Sequence, residues 1–429
     1  MRLDRVDIRL PGGLECPLPR MVLVEQRPTA ERIENITAAV RREMRRFASP
    51  SLRGARIAVT AGSRGVASIR EITAAAIAEL RDWGAEPFIV PAMGSHGGAT
   101  AEGQAAVLAE YGITEATMDA PVRASMETVV AARLSDGTPL YLDRIASQAD
   151  GIVVCGRVKP HTDFRGDYES GLYKMLAVGL GKHDGATTLH RHGFGEFPRL
   201  VPEAGRALLK AVPVLMGLAV VENGYHQVMA IEAVAPGDWD EREKALLVLA
   251  RRAMPRLRMR AVDVLIVDEL GKDVSGAGMD PNVTGRGTAV FHRRPADDLP
   301  AIQRLFVRSL SRDTDGNACG IGVADVTTLR CADQIDFGKT YINTITSIEL
   351  GGAKLPLVCN NDREALVIAL RTCKGVEPAK ARVVWIKNTN ELGRIRVSEA
   401  ILRDLDGCAD VRVLGPSELL TFNADGILV

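Results

Sequence analysis

The sequence predicts an α/β protein made of two α/β domains with mainly parallel sheets. Short apolar runs alternate with amphipathic helical segments through both halves of the chain, which is the pattern of parallel strands connected by helices. A length of 429 residues fits two to three domains, and 46% hydrophobic with 25% charged residues is typical of a globular chain rather than a disordered one. We place the domains at residues 1–258 and 261–409.

The first domain begins with two short strands within residues 1–25, followed by a helix that Thr29 is placed to cap and that runs to about Phe47. Strand, loop and helix then alternate, and ligands of such layers bind at the carboxyl ends of the strands. We therefore expect the loops after the next three strands to converge on one edge. Those strands are predicted at residues 56–62, 87–90 and 150–156.

A strand pair that turns at Asn223 and Gly224, and a helix after it, lead to a domain boundary near residues 255–260. The tail, about residues 410–429, has strand character at both ends. Periodicity assigns this tail equally well to the second domain or, as a returning segment, to the first. Strands of the second domain are predicted at residues 262–270, 320–326, 355–359 and 382–387.

Composition excludes several classes of function. The 54 Lys and Arg residues balance 54 Asp and Glu residues, and no basic run with interleaved aromatics is present, so we expect no nucleic-acid partner. The N-terminus lacks the apolar core of a signal peptide and no 18-residue uncharged stretch follows, so we expect a cytoplasmic protein without membrane contact. The seven cysteines form no CxxC pair, which argues against a disulfide framework or a zinc ribbon.

Residues 158–193 hold four of the seven histidines together with Lys174, and this concentration marks an active site. His161 follows a strand and a proline, and an imidazole there is suited to act as a general base. Apolar and small neighbours surround Lys174, so burial would depress its pKa and favour the neutral amine for covalent chemistry. The alternative for Lys174 is an ordinary exposed lysine.

Three further histidines lie near the end of this segment, His183, His190 and His192. His190 and His192 share one face if the chain is extended, whereas in a loop one binds metal while the other faces solvent, and we expect one ligand rather than two.

In an earlier loop, glycines and small residues around His96 leave its ring accessible. The alternative for His96 is a turn histidine with structural hydrogen bonds.

Two glycine-containing loops could hold anions. Arg64, in the loop after the first predicted strand of the α/β layer, could bind a phosphate or carboxylate together with loop amides, although no P-loop motif is present. Residues 271–287 carry five glycines with Lys272 and Arg286, which could close over an anionic substrate. The alternative for that loop is a flexible crossover.

Three segments together resemble the lactate racemase family, the nickel-pincer-nucleotide-dependent 2-hydroxyacid racemases and epimerases. They are PAMGSHGGAT, KPHTDFRGDYESGLYKMLAVGLGKHDGATTLHRHGF and DELGKDVSGAGMDPNVTGR. The KPHTDF and SGAGMDPNVTGR motifs are similar to those of a separate branch of that family. The resemblance implies an N-terminal cofactor-binding and catalytic domain, a C-terminal domain that closes over the substrate, and an active site in the cleft between them.

The resemblance also implies a cofactor and partners. The cofactor is a nickel-pincer nucleotide, a pyridinium-3,5-bisthiocarboxylic acid mononucleotide with Ni, tethered to the enzyme through a lysine. Because the α-proton of a 2-hydroxy acid is weakly acidic, the family's route is removal of hydride to give a planar 2-keto acid that accepts it back on either face. The implied partners are a small 2-hydroxy acid and the cofactor-biosynthesis enzymes. The oligomeric state stays open between a single chain and a homo-oligomer.

Residue by residue, the resemblance implies Lys174 as the tether, and His96 and His161 as the two acid/base histidines, one for each antipode. His190, in preference to His192, matches the nickel ligand. Arg64 matches an arginine in the loop that receives the cofactor phosphate, and we expect Ser63 and Gly65 beside it to contribute to cofactor binding. Lys272 and Arg286 stay the candidates for binding the substrate.

The chain departs from the lactate enzymes in two places. They carry Asp-His-Thr-Arg-Pro where residues 61–65 read AGSRG, and three additional residues separate His161 from Lys174 here. The resemblance therefore does not assign lactate, or any one 2-hydroxy acid, as the substrate. Two other functions remain open, a zinc-dependent hydrolase or lyase that uses the same histidines, and a non-catalytic protein that binds the cofactor or a ligand.

Overall fold

The computed structural model describes residues 4–5, 7–8, 13–63, 65–287 and 299–429. Its contacts divide the chain into two compact units. We call Thr29–Met254 the central unit, and Pro255–Val429 together with the N-terminal residues up to Pro28 the terminal unit. None of the described helices is long and apolar enough to cross a membrane.

Strands and helices alternate along both units. The strands are β1 (Arg20–Gln26), β2 (Arg56–Ala61), β3 (Glu86–Pro91), β4 (Thr128–Arg133), β5 (Pro139–Asp143), β6 (Gly151–Arg157), β7 (Val214–Glu222), β8 (Val228–Val234), β9 (Ala261–Leu270), β10 (Ala301–Leu310), β11 (Val326–Thr328), β12 (Leu357–Cys359), β13 (Val383–Ile386), β14 (Arg394–Ser398), β15 (Val411–Val413) and β16 (Glu418–Leu419). The α-helices are α1 (Ile36–Met44), α2 (Ile69–Asp82), α3 (Ala101–Glu110), α4 (Glu115–Met118), α5 (Arg144–Ser147), α6 (Leu172–Lys174), α7 (Lys182–His190), α8 (Phe197–Ala211), α9 (Trp239–Ala253), α10 (Pro281–Thr284), α11 (Leu329–Ala332), α12 (Phe337–Thr346), α13 (Asp362–Arg371) and α14 (Glu399–Leu405).

The main sheet of the central unit has the order β3-β2-β6-β7-β8, with β4 and β5 forming a separate hairpin. Strands β3, β2, β6 and β7 are parallel, and β8 is antiparallel to β7. Side chains alternate between two buried cores, because Ala58 contributes to one apolar cluster while Ile57 and Val59 contribute to the other. This arrangement confirms the α/β fold with mainly parallel strands.

The sheet of the terminal unit has the order β12-β11-β10-β9-β13-β14-β1-β15, and β16 pairs with β1. Strands β12, β11, β10, β9 and β13 are parallel to one another, whereas the β13–β14 pair and the pairs of β1 with β14, β15 and β16 are antiparallel. The N-terminal strand β1 therefore belongs to this sheet, although the sequence-based domains placed it in the first half. The tail also joins this sheet through β15 and β16.

Two predicted elements differ from the structure. The first helix begins at Ile36 rather than near Thr29, because the Asn35 side chain accepts the Ala38 N–H at 2.8 Å and caps the helix there. The strand predicted at residues 320–326 is wrong over most of its length. Gly320 has a φ of +103°, which breaks a strand, and a 3₁₀ turn follows before β11.

Candidate active site

Three loops of the central unit leave the carboxyl edge of its parallel sheet. Ser63 follows β2, His96 follows β3 and His161 follows β6, and these strands are parallel neighbours. This edge is where open α/β sheets bind ligands. The structure confirms that the three loops leave the same edge of the sheet.

A π-helical turn, Met175–Gly179, contacts two of these loops directly after Lys174. The Gly94 N–H donates to Gly179 O at 3.0 Å, and a Cβ placed on Gly62 would lie 3.1 Å from Met175 Cε. Single π-helical turns inserted in helices are frequent at functional sites. The loops that carry Ser63 and His96 therefore pack against the segment that carries Lys174.

Ser63 and His96 form a direct pair across their two loops. Ser63 Oγ lies 2.5 Å from His96 Nδ1, and the His96 side chain is exposed. The Tyr111 hydroxyl donates to Ser63 O at 2.7 Å and accepts from the Gly65 N–H at 3.2 Å, which fixes the Ser63 loop. Arg64, the residue expected to bind the cofactor phosphate, lies outside the described residues.

His161 and Lys174 are brought together in the same unit. Lys174 Nζ and His161 Nε2 form a hydrogen bond, although 13 positions separate the two residues. His161 is buried, Lys174 is half-buried, and the ammonium nitrogen lies 5.8 Å from the centre of the Phe164 ring. Lys174 thus lies between the imidazole of His161 and the ring of Phe164.

The hydrogen bonds of His161 define which of its nitrogens carries the proton. The backbone N–H of Asp163 donates to Nδ1 at 3.0 Å, so Nδ1 of this ring is an acceptor. In a neutral imidazole the proton is then on Nε2, and the bond to Lys174 requires the lysine nitrogen to accept. This arrangement is satisfied when Lys174 is an uncharged, nucleophilic amine.

The sequence did not identify the carboxylate that organises the His161 loop. Glu169 is fully buried, and both of its oxygens accept hydrogen bonds. The donors include the His161 N–H (2.5 Å), the Gly166 N–H (3.2 Å), Arg165 (3.2 Å) and Arg251 (2.6 Å). The segment between His161 and Lys174 thus contains a loop that closes around one carboxylate.

His190 is the last residue of α7, and its ring is held in one tautomer. Its Nδ1 lies 2.6 Å from Ala186 O, so Nδ1–H donates to that carbonyl and the lone pair of the neutral ring is on Nε2. A metal-binding histidine is commonly oriented in this way. His192 lies in the turn after α7, and both His192 and His183 are exposed.

His161 and His190 both contact the ring of Phe194. Phe194 lies 5.7 Å from the His161 ring and 5.5 Å from the His190 ring, measured between centroids. The ring of Phe164 lies 4.4 Å from the His161 ring, and the ring of Phe197 lies 5.0 Å from the His190 ring. The structure therefore gathers His161, Lys174 and His190 around one aromatic wall, and the sequence argument had not singled out these phenylalanines.

Another buried carboxylate caps the short helix that presents Lys174. Glu243 of α9 accepts the Tyr173 N–H at 3.1 Å, and a Cβ on Gly171 would lie 2.4 Å from its other oxygen. Complete burial raises the pKa of Glu243 to about 8, against the lowering effect of the Tyr173 and Leu172 N–H groups. Glu243 is therefore largely protonated at neutral pH and below.

The two residues expected to bind the substrate lie in the terminal unit, at opposite edges of its sheet. Lys272 follows the carboxyl end of β9, and its Nζ donates to Gly276 O at 2.5 Å. The Arg286 guanidinium binds Ile302 O and Gln303 O at the amino end of β10, and Asp325 at 2.6 Å. The structure does not bring these two side chains together.

The donor set fits a metal that is held only partly by protein. Among the described residues, no three His, Cys, Asp or Glu side chains converge to hold a metal ion, whereas a zinc site made by protein alone uses three or four. The zinc-dependent alternative thus lacks a ligand set in that part of the chain. One imidazole nitrogen with its lone pair, on His190, fits a nickel centre whose other donors belong to a bound nucleotide.

Comparisons with known proteins find one family model that is similar to part of the chain. Residues 20–197 match the family model of the lactate racemase N-terminal domain. The lactate racemase apoprotein of Thermoanaerobacterium thermosaccharolyticum is 14% identical, with 90% of this chain and 96% of that chain covered and a TM-score of 0.49. A structural-genomics protein of Thermotoga maritima is 13% identical, with 86% and 98% covered and a TM-score of 0.46. No curated protein matches the chain. Over residues 20–197, the chain is therefore similar to the N-terminal domain of the lactate racemase family.

Proposed function

We propose that this protein is an isomerase, a racemase or epimerase that inverts C2 of a 2-hydroxy acid with a nickel-pincer nucleotide. The observation that carries the proposal is the Lys174–His161 pair, which shares an aromatic wall with His190 at the carboxyl edge of the sheet. When bound, this cofactor supplies reversible acceptance of hydride at carbon.

Two residues are suited to hold the cofactor. Lys174 would form the tether, which requires the amine to react as a nucleophile, and the hydrogen bonds of His161 favour the uncharged amine. His190 would bind nickel through Nε2, because its Nδ1–H is committed to Ala186 O. Ser63 and Gly65 would face the phosphate from the loop that Tyr111 fixes.

His96 and His161 would move the hydroxyl proton of the substrate. When Ser63 Oγ accepts from His96 Nδ1–H, the basic nitrogen of His96 is Nε2, whereas His161 carries its proton on Nε2. Opposite tautomers suit a reaction in which one histidine takes the proton from one antipode and the other returns a proton to the second antipode. Lys174 must leave Nε2 of His161 before that nitrogen can serve the substrate.

The direct test uses protein produced together with the cofactor-assembly enzymes. A panel of 2-hydroxy acids and sugar acids in deuterated buffer is followed by chiral chromatography, while peptide mass spectrometry measures the mass of the Lys174 peptide. We expect inversion of one class of acid and an added mass on Lys174. An unmodified Lys174 peptide in nickel-replete protein would contradict the proposal.

A Lys174→Met variant is the matched control, because its side chain is uncharged and of similar length but cannot form the tether. It should show neither the adduct nor inversion. Wild-type protein that retains the adduct but inverts no acid would instead favour the non-catalytic alternative, a protein that stores or carries the cofactor.

A further inference from the structure

Lys182 is completely buried at the first position of α7, in the segment between Lys174 and His190. Its Nζ donates to Pro91 O at 2.5 Å and to Gln104 Oε1 at 3.1 Å. The carboxylate of Asp143, also fully buried, lies 3.1 Å from Nζ and forms an ion pair with it. The ammonium group therefore joins β3 and α3 through hydrogen bonds in addition to pairing with its counter-ion.

Gln104 continues this connection to the loop of His96. Its Nε2 donates to Gly94 O at 2.8 Å and to His96 O at 3.3 Å. Pro91 is the last residue of β3, so Lys182 contacts the start of the loop directly and its middle through Gln104. The backbone bond from Gly94 to Gly179 joins the same loop to the π-helical turn after Lys174.

The local backbone at Lys182 is unusual for a lysine. Its φ of +54° is in the left-handed region, which disfavours residues with a Cβ. Burial lowers the pKa of Lys182 and raises the pKa of Asp143, so both charged forms are costly here. Buried ion pairs are weak contributors to stability compared with apolar residues of similar size. A role beyond stability is therefore the better account of this lysine.

We propose that Lys182 is a positioning residue that fixes the His96 loop against the segment carrying Lys174 and His190. The ammonium group acts through Pro91 O and Gln104, and it touches no reacting atom. Its catalytic meaning rests on the proposed racemase function. The position of the loop is a property of the chain alone and can be measured without cofactor.

The test compares Lys182→Met/Asp143→Asn with Gln104→Met in the full chain. The double variant removes both buried charges together, because Lys182→Met alone would leave the Asp143 carboxylate uncompensated. In the double variant, the side-chain amide that replaces the carboxylate of Asp143 can still accept the Ala146 N–H that caps α5. Gln104→Met removes only the part of the connection that runs from the Lys182 ammonium group through Gln104 to the His96 loop.

Two readouts follow the loop itself. Nitrogen-15 spectra of histidine-labelled protein report the His96 tautomer, with Ser63→Ala as the reference for a broken Ser63–His96 bond. Hydrogen exchange with mass spectrometry reports the amides of residues 92–99. We expect both variants to move the His96 signals toward those of Ser63→Ala and to speed exchange about tenfold, since the loop loses its anchors.

Val40→Ala is the control for general destabilisation, because Val40 is fully buried in α1 and makes no polar contact with this loop. It should lower the unfolding temperature and leave the His96 signals unchanged. A folded double variant with wild-type His96 signals and wild-type exchange at residues 92–99 would overturn the proposal. These readouts use cofactor-free protein, so they test the position of the loop even if no racemisation is detected. Where inversion is measured, kcat of the double variant and of Gln104→Met should fall more than KM rises.

Discussion

The carboxylate of Glu169 accepts the backbone N–H of His161 at 2.5 Å while Arg165 and Arg251 bind the same carboxylate. The direction of the His161 ring therefore depends on a residue eight positions later in the chain. Arg165 also donates to His161 O at 2.8 Å, so both backbone polar groups of His161 are held by this cluster. We expect the loop to lose its order when the carboxylate is removed.

Glu169→Ala should open the His161 loop without unfolding the central unit. The loss of charge-assisted hydrogen bonds costs about 2 kcal/mol, which is roughly thirtyfold in a local opening equilibrium. Hydrogen exchange of residues 159–170 measures this directly. Glu169→Gln, which keeps one acceptor oxygen, should recover part of the protection. Glu34→Ala removes an exposed ion pair with Arg32 and serves as the control, with no change in the same peptide.

Glu243 should make the central unit less stable as the pH rises. Its pKa is about 8 in the folded chain against an ordinary value of 4.5, so the folded state binds more protons than the unfolded state between these values. Stability from this group is complete below pH 4.5 and is lost as the pH rises through 8. We expect the loss to reach a few kcal/mol at most.

Glu243→Gln tests this pH dependence, because the amide resembles the protonated acid and can still accept the Tyr173 N–H. Urea unfolding midpoints of wild-type protein and the variant are compared from about pH 5 to about pH 8.5, a range that spans the titration of the buried acid. The variant should gain stability relative to wild type as the pH increases. Parallel curves for the two proteins would show that Glu243 does not titrate in this range.

The sequence predicted the edge of the sheet on which Ser63, His96 and His161 lie, because apolar strands and the rule for parallel sheets are sufficient to place loops after strands. It did not reveal the buried charges. Lys182 lies in a polar segment of the sequence, which predicts a solvent-exposed side chain. Its partner Pro91 lies 91 positions away. Glu243 similarly lies in a helix with many exposed charges, and only packing against α6 identifies it.

Contacts between residues far apart in the sequence also explain why the sequence-based domains place residues 20–26 in the first half of the chain. The alternation in residues 20–26 indicates a strand, but no local pattern tells that its partner is Arg394–Ser398 at the other end of the chain. For His190 the pattern left loop and extended strand open, and the structure places it at the end of a helix. The direction of the His190 ring depends on its contact with Ala186, one helical turn earlier. This contact can be predicted only when the segment is already known to be a helix.

Gly179→Ala should separate the His96 loop from the π-helical turn. A Cβ at this position would lie 2.9 Å from Ala92 O and 2.7 Å from Met175 Sδ, and the backbone contact cannot relax without moving the loop. We expect a loss of about 1–3 kcal/mol in the free energy of unfolding and faster exchange of residues 92–99. Gly237→Ala is the matched control, because no atom lies within 4 Å of its Cβ and its φ is not left-handed.

His190→Ala should remove nickel from protein produced with the cofactor-assembly enzymes, whereas His192→Ala and His183→Ala should not. His190 has its Nδ1–H bound to a backbone carbonyl and its ring against Phe194 and Phe197, while the other two histidines are exposed. Elemental analysis should find about one nickel per chain in wild type and below roughly a tenth of that in His190→Ala. Peptide mass spectrometry of the Lys174 adduct separates loss of metal from loss of the whole cofactor. If His192→Ala lost nickel and His190→Ala retained it, the ligand assignment would be reversed.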